Sequence, residues 1–176
     1  MAAWVALLRG INVGGHRKVP MALLRETASG IGLIEPRTYV ASGNLVFQSE
    51  EVGPALEARL ETALEQRFGF DVDVIVRSAE QWALYRAGNP FPGESDQQSN
   101  LVMMTLGKRA ASDEDVAKLR QKASGNERVE RVGDAIWIWF GDGAGRSKIA
   151  TGPTRTEVWT TRNWRTVDAL AGMLAA

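Results

Sequence analysis

The side chains best equipped for chemistry lie near the N terminus, where Gly10, Gly14 and Gly15 are interleaved with Arg9, Asn12, His16 and Lys18. A glycine-rich loop between a strand and a helix can aim successive backbone N–H groups at one point, and nearby cations reinforce them. The chemistry this pattern suits is holding a phosphate or carboxylate. The spacing is neither GxxxxGK[ST] nor GxGxxG, so no nucleotide-specific loop is implied. Positive φ in a long turn explains the same glycines without a ligand. His16 is the only histidine. It rules out a multi-histidine metal centre and leaves a lone acid or base, for which a solvated loop side chain is the plainer account.

Two further segments could join this loop. Ser42-Gly43-Asn44 offers a hydroxyl, an amide and exposed backbone, or else plain turn chemistry. Arg162-Asn163-Trp164-Arg165 brings Arg162, Asn163 and Arg165 as donors, or else opens the last helix, with Thr161 or Asn163 as cap and Trp164 as anchor. Sequence does not place that segment in space. Ser147 and Lys148 are adjacent, so on an extended chain their side chains point apart, unlike a helical SxxK pair. No GxSxG elbow or HExxH helix occurs, and Asp113, Glu114 and Asp115 are accounted for by a helix N terminus. With no cysteine in the chain, thiol catalysis, disulfides and cysteine-bound metal are excluded together. No metal and no cofactor is expected.

The elements that must position these residues follow from hydrophobic periodicity. Residues 3–9 are apolar on both faces, which predicts a central strand. Pro20 suits a first helical position before Met21, Leu24, Ala28 and Ile31. Residues 37–42 and 44–49 predict a hairpin around Gly43. Leu56, Leu60, Leu64 and Phe68 stripe a helix that stops at Gly69, and Val72, Val74 and Val76 alternate as a strand at a sheet edge. This order over residues 1–77 is β-α-β-β-α-β, the ferredoxin-like split pattern, and it brings the loop 10–18 and the turn 42–44 to the same sheet edge.

The second half alternates less cleanly. Ser78 and Gln81 form a capping box, residues 88–99 a loop, 101–106 a strand, and Ser112 caps a helix ending by Gly125. Residues 128–132 and 135–140 predict a hairpin about Gly133-Asp134. Val167, Leu170 and Leu174 mark a C-terminal helix. Trp137 and Trp139 share one face of their strand, and packing is the better reading of that face than ligand stacking. No repeat is visible at the level of residues, only a similar order of elements in the two halves. The expected architecture is α+β: a ferredoxin-like βαββαβ first subdomain over 1–77, then a second, smaller α+β subdomain over 78–176, together one compact unit.

The 176 residues are 44% hydrophobic and 24% charged with zero formal net charge, ordinary globular composition with no general attraction to nucleic acid or membrane. The distribution is uneven. Residues 1–25 carry Arg9, Arg17, Lys18 and Arg25 and no acid, and residues 144–167 carry basic residues against Glu157 alone. The apolar run at the N terminus lacks a basic leader, so it reads as a strand, and the location expected is the cytoplasm.

Four segments taken together resemble a known family: Leu7-Leu8-Arg9-Gly10-Ile11-Asn12-Val13-Gly14-Gly15-His16, Tyr39-Val40-Ala41-Ser42-Gly43-Asn44, Ser147-Lys148 and Thr161-Arg162-Asn163-Trp164-Arg165-Thr166. They are similar to the bacterial domain-of-unknown-function family 1697. The resemblance implies a two-subdomain α+β fold with a ferredoxin-like first part, and it implies no activity. Three functions are therefore expected in descending order. The first is binding of an anionic small molecule or a nucleic-acid end at the basic loop. The second is an enzyme using His16 or Lys18 there, and the third a non-catalytic interaction module. An RNA-recognition reading is weak, because Gly43-Asn44-Leu45-Val46-Phe47 does not fit the aromatic RNP1 pattern.

Overall fold

The computed structural model describes residues 1–147, 149 and 152–176. The protein is an α+β chain with two four-stranded antiparallel sheets, each with interleaved helices. It divides into two compact units, Met1–Ala83 with Leu170–Ala176, and Leu84–Ala169.

The first unit follows a βαββαβ-like course: β1 (Ala2–Leu8), α1 (Met21–Gly30), β2 (Ile34–Tyr39), β3 (Asn44–Ser49), α2 (Gly53–Phe68) and β4 (Val74–Ser78). Its sheet order is β2-β3-β1-β4, so the all-apolar β1 is interior as its two-sided pattern requires. Ala6, Leu8, Leu45, Phe47, Val74 and Val76 form one core with Leu24 and Ala28 of α1 and Leu56, Leu60 and Leu64 of α2, so both helices lie on the same face. The other parity, Val5, Leu7, Val46 and Ile75, is buried as well. The edge strand β4 is closed to further strand pairing. The N–H groups of Val74 and Val76 donate to Glu61 and Glu57 of α2, each at 3.0 Å.

The hairpin differs from expectation at its first strand, which ends at Tyr39 rather than at residue 42. Val40 takes φ 48°, and the Asn44 amide donates to the Tyr39 carbonyl at 2.8 Å, closing a four-residue turn ahead of β3. Nothing in the strand-favouring run Thr38-Tyr39-Val40 signals this stop, because it is imposed by a side chain beyond the turn.

Helix α3 (Ala79–Ala87) starts on the reciprocal Ser78–Gln81 capping box. The second unit then runs α4 (Pro92–Gln97), β5 (Val102–Gly107), α5 (Asp113–Lys122), β6 (Glu127–Val132), β7 (Ala135–Phe140), β8 (Trp159–Asn163) and α6 (Trp164–Ala175). Two elements were not expected. The short helix α4 lies in the proline-containing stretch 88–99, where Pro92 suits a first-turn position. Strand β8 occupies Trp159-Thr160-Thr161-Arg162-Asn163, where an aromatic and two β-branched residues are followed by a charge.

The second sheet has order β6-β7-β5-β8, the order of the first sheet with each strand replaced by its later counterpart. The register agrees too. Val5 stands between Val46 and Arg77 in the first sheet, and Met104 stands between Trp137 and Arg162 in the second. Arg77 and Arg162 are each buried on the fourth strand and immediately precede the residue that caps the following helix, Ser78 or Asn163. The repetition is of topology, with little residue identity to reveal it.

Candidate functional site

Strand β1 delivers the chain into the loop 10–18 after Leu8, whose N–H donates to the Gly43 carbonyl at 2.8 Å and so extends the ladder to the hairpin turn. The loop and the turn are in direct contact. Ile11 is buried against Gly43, and a Cβ on that glycine would stand 2.7 Å from Ile11 Cδ1. The Asn12 amide donates to Ala41 O at 2.8 Å and to Val19 O at 3.0 Å, while its oxygen accepts the Val19 N–H at 2.8 Å. Asn12 therefore pins both ends of its loop and the hairpin turn at once. Asn44, fully buried, spends its amide on Tyr39 O and on Ser42 Oγ at 3.1 Å.

The loop itself is wound through positive φ at Gly10, Asn12, Gly14, Gly15 and Arg17. Val13 and His16 close a tight turn through a 3.0 Å hydrogen bond. Among the described residues, the N–H groups of Gly14 and Gly15 donate to no protein acceptor. Arg17 folds back on the loop. Its Nε donates to Gly10 O at 2.9 Å, a second nitrogen reaches Asp71 O, and the guanidinium lies 4.8 Å over the Phe70 ring. Arg9 faces Asp73 at 3.6 Å. His16 and Lys18 are exposed, and among the described residues Lys18 enters no ion pair.

Beside the loop lies a groove of about 420 Å³ lined by Asn12, Gly15, Lys18, Val19, Pro20, Met21 and Ala41. It opens at the N terminus of α1, which has no side-chain cap and no acidic residue in its first turn. The leading N–H groups of a helix lack intrahelical acceptors and carry a partial positive charge, so this end of the groove favours an anion. Val19, Pro20, Met21 and Ala41 are not marked as site residues by the sequence, which marks Pro20 and Met21 only as a helix start. Their apolar side chains carry no chemical signal, and only the groove shows that they line it together.

Arg162, Asn163 and Arg165 belong to the second unit. Arg162 is buried in β8, where its guanidinium donates to Thr160 Oγ1 at 2.8 Å and to Thr161 O at 3.0 Å. Burial lowers its pKa to about 10. The Asn163 side chain accepts the Thr166 N–H at 3.0 Å and caps α6, and Arg165 is exposed. Trp137 is buried 6.0 Å from Trp164, and Trp139 donates to Gln98 at 3.1 Å, so both residues of that face are engaged in packing or hydrogen bonding.

Ser147 donates to Glu127 at 2.6 Å, which holds that carboxyl below its ordinary range. Lys148, the other half of the adjacent pair, lies outside the described residues. Glu127 and Ser147 line a polar cavity of about 360 Å³ with Ser124, Asn126, Asp142 and Gly143, which sequence did not suggest because its residues come from separated turns. A third charged cluster is structural. Arg109 forks onto Asp115 at 2.7 and 2.9 Å and onto Glu157 at 2.7 Å, and it stacks 4.9 Å from Trp159. It holds both carboxyl pKa values down at about 2. Asp115 also completes the Ser112 capping box of α5, so this cluster ties a helix start to the approach to β8. Among the described residues no group of three or more acidic or histidine side chains is placed to hold a metal ion. No helix described is long and apolar enough to cross a membrane.

An α+β chain with two matching sheets and a latched glycine loop is the class of protein these features define. The chain belongs to the protein family of unknown function 1697, whose model matches residues 1–137. Among solved structures it is similar to the conserved bacterial protein SP0830 from Streptococcus pneumoniae. That similarity has a TM-score of 0.75 and 23% identity and covers 100% of this chain and 99% of the other. At that identity the likeness is one of fold. No curated protein matches.

Proposed function

We propose that the loop 10–18 and the start of α1 form a binding site for a phosphate- or carboxylate-bearing ligand, either a small molecule or a nucleic-acid end. The first half is then a ferredoxin-like module that carries its site on the loop end of the sheet. The observation that carries this reading is the uncapped, acid-free N terminus of α1 opening into a groove with Lys18 in its lining. Lys18 supplies the mobile charge, and the unpaired N–H groups of Gly14 and Gly15 supply fixed donors beside it. Asn12, Gly43 and Asn44 serve by holding the loop and turn in place. Arg9 steers through its position near the loop.

The test is thermal denaturation across a panel of nucleotides, sugar phosphates, carboxylates and short oligonucleotides. A ligand that binds the native state raises the midpoint with concentration. Concentration-dependent stabilisation that is lost in Lys18→Gln supports the site. A panel with no shift leaves a non-catalytic interaction module in its place. Turnover of any stabilising compound, lost in His16→Ala or Lys18→Ala, would make the site an enzyme's.

A further inference from the structure

The charge count at the groove narrows the ligand class, an inference that rests on the anion-site reading above. Three of the four cations in residues 1–25 have partners inside the first unit. Arg9 faces Asp73, Arg17 is folded onto Gly10 O and Phe70, and Arg25 donates to Thr38 Oγ1 at 2.5 Å. Lys18 remains, and it is the one charged side chain in the groove lining. Asn12 adds little to recognition, since its amide is spent on Val19 and Ala41. The rest of the wall is apolar: Val19, Pro20, Met21 and Ala41. Apolar surface continues in sequence on both sides, with Val13 65% and Val40 49% exposed.

We propose that the groove binds a small ligand with a single anionic group on an uncharged, apolar body, such as an aryl or short acyl phosphate or carboxylate. The anionic group meets Lys18, and the body lies along Val19, Pro20, Met21 and Ala41. A polyanion fits this lining poorly. A nucleoside polyphosphate or an oligonucleotide brings several charges to one cation, and each unmatched charge loses water without gaining a partner. The volume of about 420 Å³ falls within the range of small-ligand sites, roughly 300–1,000 Å³.

The test is calorimetric titration of the whole chain with phenyl phosphate, inorganic phosphate and a 5′-phosphorylated thymidine trinucleotide. The expected result is phenyl phosphate tighter than inorganic phosphate by roughly 10–100-fold, the gain from burying one ring. The trinucleotide should be no tighter than inorganic phosphate. Lys18→Gln should weaken phenyl phosphate about tenfold or more, and Lys18→Arg should restore most of the loss, since the charge returns. Equal affinity for the two phosphates, with both sensitive to Lys18→Gln, overturns this inference and leaves the anion site standing. A trinucleotide that binds tighter than phenyl phosphate overturns it in favour of a nucleic-acid end. No binding by any of the three overturns both readings.

Discussion

Ile11 lies so close over Gly43 that any side chain at that turn would collide with it, at 2.7 Å from Ile11 Cδ1 and 2.9 Å from Leu8 Cβ. Gly43 also takes φ +90°, which L side chains rarely adopt. The glycine of the Ser-Gly-Asn turn is thus required by the loop across from it. Gly43→Ala should cost about 2–4 kcal/mol of stability, combining overpacking with backbone strain. Urea unfolding measures this. Ile11→Ala in the same chain should recover part of the packing cost, giving a non-additive cycle of about 1 kcal/mol. Strict additivity would show that the two residues do not press on each other.

Asn12 provides a second check on the latch. Asn12→Asp keeps the shape but replaces the NH2 group that donates to the carbonyls of Val19 and Ala41 with an acceptor oxygen. The expected loss at neutral pH is about 2–3 kcal/mol, since hydrogen bonds are broken and like dipoles are opposed. A carboxyl in that position is easier to fold when protonated, so its folded pKa is raised and the loss should shrink as pH falls through it. Urea midpoints at neutral and acid pH test both parts. A variant as stable as the wild type would mean that Asn12 is free to serve a ligand instead.

The Arg109 cluster sets an acid limit on the second unit. Asp115 and Glu157 have folded pKa values of about 2, below their ordinary 3.8 and 4.5, chiefly because Arg109 hydrogen-bonds both. Depressed carboxyl pKa values give stability that is complete above about pH 5 and is lost as pH falls toward 2. Wild-type urea midpoints should therefore decline across that window. Arg109→Gln should be less stable at pH 7 and show a shallower decline, because the cation that lowered both values is gone. An unchanged slope would place the acid sensitivity elsewhere.

The first unit was largely legible in the sequence because its core follows plain periodicities. The two-sided apolar β1 had to be interior, the leucine stripe of α2 had to face it, and the Gly69 stop fell at a left-handed cap. That topology in turn brought residues 10–18 beside 42–44. The second unit was harder. Strand β8 carries Arg162, whose burial no local pattern announces, directly after its two threonines, and α4 is a six-residue helix in a stretch punctuated by prolines. The two halves show a similar order of elements in the sequence, but the shared sheet order has little residue identity behind it. Val5 and Met104 hold equivalent positions, as do Val46 and Trp137, and the pairs share only an apolar character. At the proposed site, the sequence offers polar and charged groups and gives no sign of the apolar wall beside them. Several of those donors also proved to be fasteners: Asn12 and Asn44 are bonded to backbone carbonyls within the turn and loop.

The most direct measurement of the central claim is an amide chemical-shift map of the whole chain titrated with phenyl phosphate. Saturable shifts are expected at Gly14, Gly15, Lys18, Met21 and Ala41, which bound or line the groove, as is their loss in Lys18→Gln. Arg9→Ala should preserve the pattern with modestly weaker binding, because Arg9 faces Asp73 and lies outside the lining. Saturable shifts centred instead on Ser124, Glu127 and Ser147, or shifts at the loop that Lys18→Gln leaves unchanged, would contradict a ligand site at the Lys18 groove.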